Sequence, residues 1–596
     1  MNDHLSPAGA GTEPPAGART APSARIGTEP SARIGSAVAR LAEAAATRTP
    51  CAPVREFIGG TDLDAAYEVQ RRLAEARSAA GARVVGAKIG LTAPVVQQQF
   101  GVDQPDFGVL FDDMMYAHTE PLPLGRFLQP RAEGEIVFVL GRDIDRPGAG
   151  VADVLRATEF VLPAIEIVDS RIAGWDLSLA DTVADNASSG AVVLGATPYS
   201  PAGLDLARVG MTLQRDGEPV AFGAGHACLG SPAVAVAWLA RELVARGRPL
   251  RAGDVVMSGA LGPMVPVGGP GRFRLLLDGL GEVEAVIEEA AETAETATGT
   301  KKKTPQKTQK AEKAEKAEKA EETGGQERPV AAAGTTAGPE QRIDAATVDG
   351  LAARLDAAQT SRADTPSLAD THAFGIDDAY AVQTALVGRR QARGEHITGV
   401  KLGFTSKAKM AQMGVSDVIV GRLTDAMRIV DGDDVALDRF IHPKAEPEVA
   451  YRLCRDVGLD DSLTDIESCV DAMAPAIEII DSRYRDFRFT YGDVVADNTS
   501  AAGYAIGPWR PVGEAANRAV RLRTATAEVT GSTAAILGDP VHALHALLDM
   551  CRRRSIPLRA GHIVLAGAAT AAVPLTAGVT TCDVAGLGSV SLKGVR

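Results

Sequence analysis

Apolar residues recur at three- and four-residue spacing through DLDAAYEVQRRLAEARSA (62–79) and again through GIDDAYAVQTALVGRRQA (375–392), which predicts a helix in each place. After each helix the pattern changes to short β-branched runs separated by Gly, Pro and Asp, the signature of strands and turns. Helices first and strands afterwards predict an α+β fold. Two of the runs, PAIEIVDS (163–170) and PAIEIIDS (475–482), set a glutamate between isoleucines: Glu166 between Ile165 and Ile167, Glu478 between Ile477 and Ile479. Such runs favour strands covered on both faces. A carboxylate there must be neutralised, paired or bound to a metal.

The duplication extends along the chain. GAKIGLT (86–92) answers GVKLGFT (399–405), RAEGEIVF (131–138) answers KAEPEVAY (444–451), and DTVADNASSG (181–190) answers GDVVADNTSA (492–501). The offset is 313 residues at Lys88 and Lys401 and 312 at Glu166 and Glu478. Each half is expected to be one domain, 36–287 and 343–596, of a size that a single core supports. Residues 1–35, rich in Ala, Pro, Gly, Ser and Thr, are expected to form a disordered tail. Residues 288–342 are expected to form a charged tether, flexible at its ends, whose centre AEKAEKAEKAEE (311–322) suits a short exposed helix. Matching domains on one chain suggest that the halves pair with each other and that the chain forms homo-oligomers.

Composition narrows the class. The hydrophobic content of 45% and charged content of 23% suit a soluble globular protein, and the sequence shows no run resembling a membrane span. The opening residues lack the apolar stretch of a secretory signal. Six cysteines without a CxxC pair fit reduced thiols in a cytoplasm. A net charge of −14 argues against nucleic acid as a partner.

The chemistry gathers at carboxylates. Glu133 and Glu135 are two apart on a strand, as are Glu446 and Glu448, so each pair projects from one face. An ExE pair by itself is most often a solvated strand face, but here each leads into an apolar run. With Glu166 and Glu478, each half offers three carboxylates on core strands. These repel unless a hard dication sits between them, and all-oxygen ligation selects Mg²⁺ or Mn²⁺, one per domain. Lys88 and Lys401 lie in apolar strands beside glycines; they either snorkel to water or, next to the carboxylates, bind a substrate carboxylate or carry a proton. Asn186 and Asn498, in ADN, read as turn residues or as parts of the site. Asp169 and Asp481, in DSR, read as turn caps or as supports for the ligands.

These motifs, in this order, resemble the 2-keto-4-pentenoate hydratase and 4-oxalocrotonate decarboxylase family of the fumarylacetoacetate hydrolase fold. GVDQPDFGVLFDDM, QPRAEGEI, AIEIVDSRI and SGALGPMV resemble the hydratase; GVSDVIVGRLTDAM, IHPKAEPE, IEIIDSRYRDFRFT and AGAATAAVPL resemble the decarboxylase. The resemblance covers both halves and excludes tail and tether. Gly134 departs from it, standing where a bulkier residue is expected. It implies metal ligation by Glu133, Glu135 and Glu166 and by Glu446, Glu448 and Glu478. It also implies that Lys88 and Lys401 are the active-site lysines. Asn186, Asn498, Asp169 and Asp481 join them as catalytic candidates, and Ser258, Gly259 and Gly567 as candidate substrate contacts. Substrates are then small 2-oxo acids and dienols. Arg422, Arg485 and Arg488 stand where the first half has Val109, Ala173 and Asp176, and extra cations suit a dianionic substrate in the second half. As surface charges they would need no such role.

A carbon–carbon bond hydrolase acting on acylpyruvates shares the metal trio but calls for a histidine early in each domain, and His118 and His372 do not align with each other. A scaffold in which one half has lost its chemistry conflicts with both halves keeping three glutamates and a lysine.

Overall fold

The computed structural model describes residues 30–94, 96–97, 101–289, 342–406, 410, 414–460 and 464–596. Most of the expected tail and nearly all of the expected tether, with its central helix, lie outside the described residues. The tail's end does not: a helix starts at Pro30 and runs to Thr47, burying Ala37, Leu41 and Ala44 at helical spacing.

The two periodic segments are helices Leu63–Ala79 and Ile376–Ala392. The first is capped by Asp62, whose side chain accepts from the Ala65 amide. Each helix sends one buried glutamine between a strand and a second, short helix. Gln70 donates to the carbonyls of Phe107 and Val183, and Gln383 to those of Val420 and Val495. The same anchor thus fixes the helix to the sheet in both halves.

Two sheets follow in each half. In the first, an eight-stranded sheet runs Asp106–Phe111, Val84–Gly90, Val255–Met257, Arg131–Leu140, Thr158–Val168, Ser189–Leu194, Met115–Ala117, with Val265–Pro266 added beside Arg131–Leu140. A five-stranded sheet of Pro121–Pro123, Gly281–Glu288, Gly271–Leu277, Gly210–Arg215 and Glu218–Ala224 packs on it. Ile136 and Phe138 meet Leu213, Phe273 and Leu275 between the sheets. Gly134 belongs to this contact: a Cβ there would overlap Leu275 and the Met211 sulfur, which accounts for the missing side chain. The second half repeats the design, with Arg510–Pro511 as a ninth strand.

The order of helices then strands is not strict. Pro232–Ala245 and Pro540–Arg554 are late helices, each opening with proline at its first turn. The stretch Gly225–Ala245, with mean hydropathy 1.3, is long and apolar enough to cross a membrane, but half of it is buried and Val236, Leu239 and Leu243 join the core. All six cysteines are free thiols.

Candidate active site

Strand register builds the carboxylate cluster. In the antiparallel pair Arg131–Leu140 with Thr158–Val168, Glu133 stands directly opposite Glu166; in the second half Glu446 stands opposite Glu478. Glu135 and Glu448 follow two residues along on the same face. In each half, one oxygen from each of the three carboxylates lies within 4.8 Å of the others.

The lysines complete the cluster. Lys88 Nζ is 3.3 Å from Glu166 Oε1, and Lys401 Nζ is 3.0 Å from Glu478 Oε2. Both ammonium groups are buried and also donate to a carbonyl, that of Ala187 at 2.8 Å and of Thr499 at 3.2 Å. Those carbonyls are aimed by unusual backbone. Asn186, Ala187 and Ser188 have φ of 56°, 50° and 54°, and Asn498, Thr499 and Ser500 have 51°, 53° and 58°: three left-handed non-glycine residues in a row in each half.

The asparagines hold that turn in place. Asn186 Oδ1 accepts from the Val109 amide at 2.8 Å and Nδ2 donates to its carbonyl at 2.9 Å; Asn498 does the same with Arg422. Asp169 accepts from the amides of Leu128 and Gln129, and Asp481 from those of Ile441 and His442. These four residues are positioned as supports of the strands and the lysine's turn. The following arginines, which the motifs did not bring out, clamp DSR to ADN: Arg171 pairs with Asp185 at 2.5 Å, and Arg483 with Asp497.

Gly259 and Gly567 meet the carboxylate trios through backbone. Their amides each donate at 2.8 Å, to Glu135 Oε2 and Glu448 Oε2. Their φ values of +97° and +117° lie where only glycine is at ease, and a Cβ would collide with Thr92 or Thr405. Ser258 is buried beside Gly259, its hydroxyl without a hydrogen-bond partner.

The three arginines are not brought to the cluster. Arg422 pairs in register with Val400 while Lys401 pairs with Gly421, so alternation sends the Arg422 side chain to the face opposite the lysine. Arg485 and Arg488 are exposed, Arg485 in an ion pair with Asp364. The cationic groups beside the trios are instead Arg131, stacked on Trp175, and Lys444, stacked on Phe487. His118 accepts from the Glu284 amide, and His372 is exposed.

The donor set fits a hard dication. Both oxygens of Glu166 and of Glu478, with Oε1 of Glu135 and of Glu448, are buried and, apart from the two lysine ion pairs, have no hydrogen-bond partner among the described residues. Three carboxylates and one ammonium leave a charge of −2 in each cluster, which one divalent cation cancels. Without that cation, burial first and Glu166 second push the Glu133 carboxyl up to about 7. Burial likewise raises Glu135, Glu448, Glu166 and Glu478. Burial acts to lower both lysines, but the surrounding glutamates outweigh it and raise them.

These shifts give a pH prediction. Glu133 is raised in the folded state above its ordinary 4.5, so its stabilising contribution is full below about pH 4.5 and is lost as the pH rises through about 7. Chelated protein is therefore expected to lose thermal stability between those values, and the gain in Tm on adding Mg²⁺ is expected to widen over the same interval. A gain in Tm that stays constant with pH would contradict metal binding by the glutamates.

Residues 83–288 match the family model described as "Fumarylacetoacetate (FAA) hydrolase C-terminal". The 2-keto-4-pentenoate hydratase of Paraburkholderia xenovorans (strain LB400) is 52% identical over 252 residues, which is 42% of this chain and 94% of that protein. The chain belongs to the 2-keto-4-pentenoate hydratase family. It is a lyase, and it carries this fumarylacetoacetate hydrolase-like domain twice. The "TodF product hydratase" of Pseudomonas putida F1 is 53% identical over 250 residues, covering 42% of this chain and 93% of that one. Among solved structures, 4-oxalocrotonate decarboxylase from Pseudomonas putida G7, complexed with magnesium and adipate, shares 30% identity, covering 44% of this chain and 100% of that one, with a TM-score of 0.42.

Within this hydratase-family chain, a charged position beside the lysine separates the two sites among the described residues. In the first half Asp106 pairs in register with Gly90; in the second, Ile419 pairs with Gly403. Asp106 is buried, neither oxygen has a hydrogen-bond donor, and Gly90 leaves the room it occupies beside Lys88. Burial raises its carboxyl to about 6 against the lowering effect of Lys88, with Glu166 adding to the rise. Nothing in residue type marks out Asp106 within GVDQPDFGVLFDDM; only the strand pairing brings it over Gly90. Ser258 likewise has an alanine, Ala566, as its counterpart.

Proposed function

We propose that the chain is a bifunctional, metal-dependent lyase of aromatic meta-cleavage catabolism, working in the cytoplasm. The second half decarboxylates 2-oxo-3-hexenedioate to 2-hydroxypenta-2,4-dienoate, and the first half hydrates that product to 4-hydroxy-2-oxopentanoate. The division of labour is carried by Asp106 against Ile419.

The two reactions make different demands on protons. Decarboxylation breaks the C5–C6 bond and sends its electrons through the conjugated chain to the C2 oxygen, so no carbon is protonated. Hydration ketonises the dienol by protonation at C5 with loss of the C2 hydroxyl proton, then adds the hydroxide of one water at C4 and its proton at C3. A dication bound by each trio would supply the charge that stabilises the enolate oxygen. Around it, Asp106, raised to about 6, is suited to exchanging protons with carbon and water beside a Lys88 that the glutamates keep protonated. Lys401 faces Ile419 in an apolar wall that excludes water from the dienolate and supplies no second acid. Arg131 and Lys444, held on their aromatic rings, stand at the strand ends where a substrate carboxylate can be met.

The test is to supply 2-oxo-3-hexenedioate with Mg²⁺ or with Mn²⁺ and to follow carbon dioxide, the dienol and 4-hydroxy-2-oxopentanoate separately. Carbon dioxide release preceding hydration, each lost on chelation, is the expected course. Hydrolysis of an acylpyruvate at comparable rate would replace this reading with the hydrolase.

A further inference from the structure

The small sheets of the two halves meet at their edge strands, Glu218–Ala224 of the first and Glu528–Ser532 of the second. Ala224, Ala519 and Ala585 form a buried apolar contact across the junction. Asn517 pins it. Its Oδ1 accepts from Thr212 of the first half and from Ser532 of its own half, both at 2.8 Å, and its Nδ2 donates to the Leu276 carbonyl of the first half at 3.1 Å. Its own carbonyl lies where a Cβ on Gly210 would be. The first-half residue at the same place, Arg208, reaches back to the Val584 carbonyl at 3.1 Å, and Arg518 pairs with Asp278 at 3.0 Å. Each half thus places the residue two before its inner strand on the end of the other half's sheet, a pseudo-twofold arrangement.

The same edge strands touch the active-site loops. In the first half the Ala224 amide donates to the Leu261 carbonyl at 2.9 Å, and the Leu261 amide donates to the carbonyl of Gly134, the residue between Glu133 and Glu135. That loop begins with Gly259, whose amide holds Glu135. In the second half Gly531 lies against the Ala569 carbonyl, the Ala569 amide donates to the carbonyl of Pro447 between Glu446 and Glu448, and Gly567 holds Glu448. One short path of backbone contacts therefore runs from one carboxylate cluster through the junction to the other.

We propose that this face is a docking surface whose partner is the other half of the same chain, and that docking braces loops 258–261 and 566–569 so that each carboxylate trio is fully formed only in the pair. Asn517 and Gly210 act as positioning residues, through the edge strands and not by touching substrate. The tether is then dispensable for holding the halves together. The proposal rests on the trios binding a dication, so its readout is Mn²⁺ binding itself.

A protease site is inserted between residues 290 and 341 of the full chain, and the protein is cut, sized, and titrated with MnCl₂ while the resonance of free Mn²⁺ is followed. Cut wild type is expected to elute as one particle with the Mn²⁺ affinity of the uncut chain. Cut Gly210→Val, which wedges a side chain into the Asn517 backbone, is expected to separate into folded halves that bind Mn²⁺ about tenfold or more weakly. Asn517→Ala, a gentler change, is expected to shift both readouts in the same direction and serves should Gly210→Val fail to fold. Separated halves that bind Mn²⁺ as tightly as the docked pair would overturn the bracing, and cut wild type that falls apart would overturn the docking. Absence of Mn²⁺ binding in the uncut wild type would instead remove the metal reading on which the bracing rests.

Discussion

Glu166→Gln is expected to lower hydration about a hundred- to a thousandfold while decarboxylation continues, and Glu478→Gln to do the reverse. The argument is one of charge. Each trio with its lysine carries −2, and replacing the central glutamate with an isosteric amide leaves −1 against a divalent cation. The amide also replaces the charged acceptor that Lys88 or Lys401 faces with a neutral one, which weakens that pair. Because Glu166 and Glu478 lie in separate sheets, the losses should not cross over. Carbon dioxide release and dienol consumption, measured on each variant with saturating Mg²⁺, check this. Loss of both reactions from either substitution in a protein that still melts cooperatively would end the assignment of one reaction to each half.

Much of that cluster was legible in the sequence because a strand has period two and an ExE pair therefore needs no tertiary knowledge to share a face. Glu166 and Glu478 were legible for a different reason, as charges inside runs that read as covered on both sides. The register that sets Glu133 opposite Glu166 could not be read, since it depends on how two strands nearly twenty residues apart slide past each other. The same gap misdirects Arg422. Its difference from Val109 is plain in the alignment of the halves, yet whether that difference faces the lysine or the helices behind depends on pairing with Val400. Asn186 and Asp169 were seen but left between two roles. The three consecutive left-handed residues that Asn186 secures have no signature in residue type, because Ala187 and Thr499 are ordinary in composition and unusual only in φ.

Asp106 tests the division of labour most directly. Asp106→Asn keeps the size and burial of the side chain but fixes it in a form that cannot exchange a proton, and hydration is expected to fall about a hundred- to ten-thousandfold, the usual contribution of a positioned acid or base. The change removes a buried charge with no hydrogen-bond donor, so the thermal stability of the protein should hold or rise. Decarboxylation should be untouched, since Ile419 stands at that place in the second half. A kcat that falls while KM for the dienol stays level would mark a loss confined to the transition state, whereas a matching rise in KM would mean that Asp106 only binds. Its carboxyl is raised to about 6 by burial and by Glu166 against Lys88, so the wild-type rate should change across that region of pH and the Asn variant's should not. Ile419→Asp is the reciprocal experiment. A carboxylate opposite Gly403 recreates that acid beside Lys401, and part of the dienol formed there should be hydrated before release. A second half that turns over its dicarboxylate unchanged and yields no 4-hydroxy-2-oxopentanoate when the first half carries Glu166→Gln would show that Asp106 is not what separates the two chemistries.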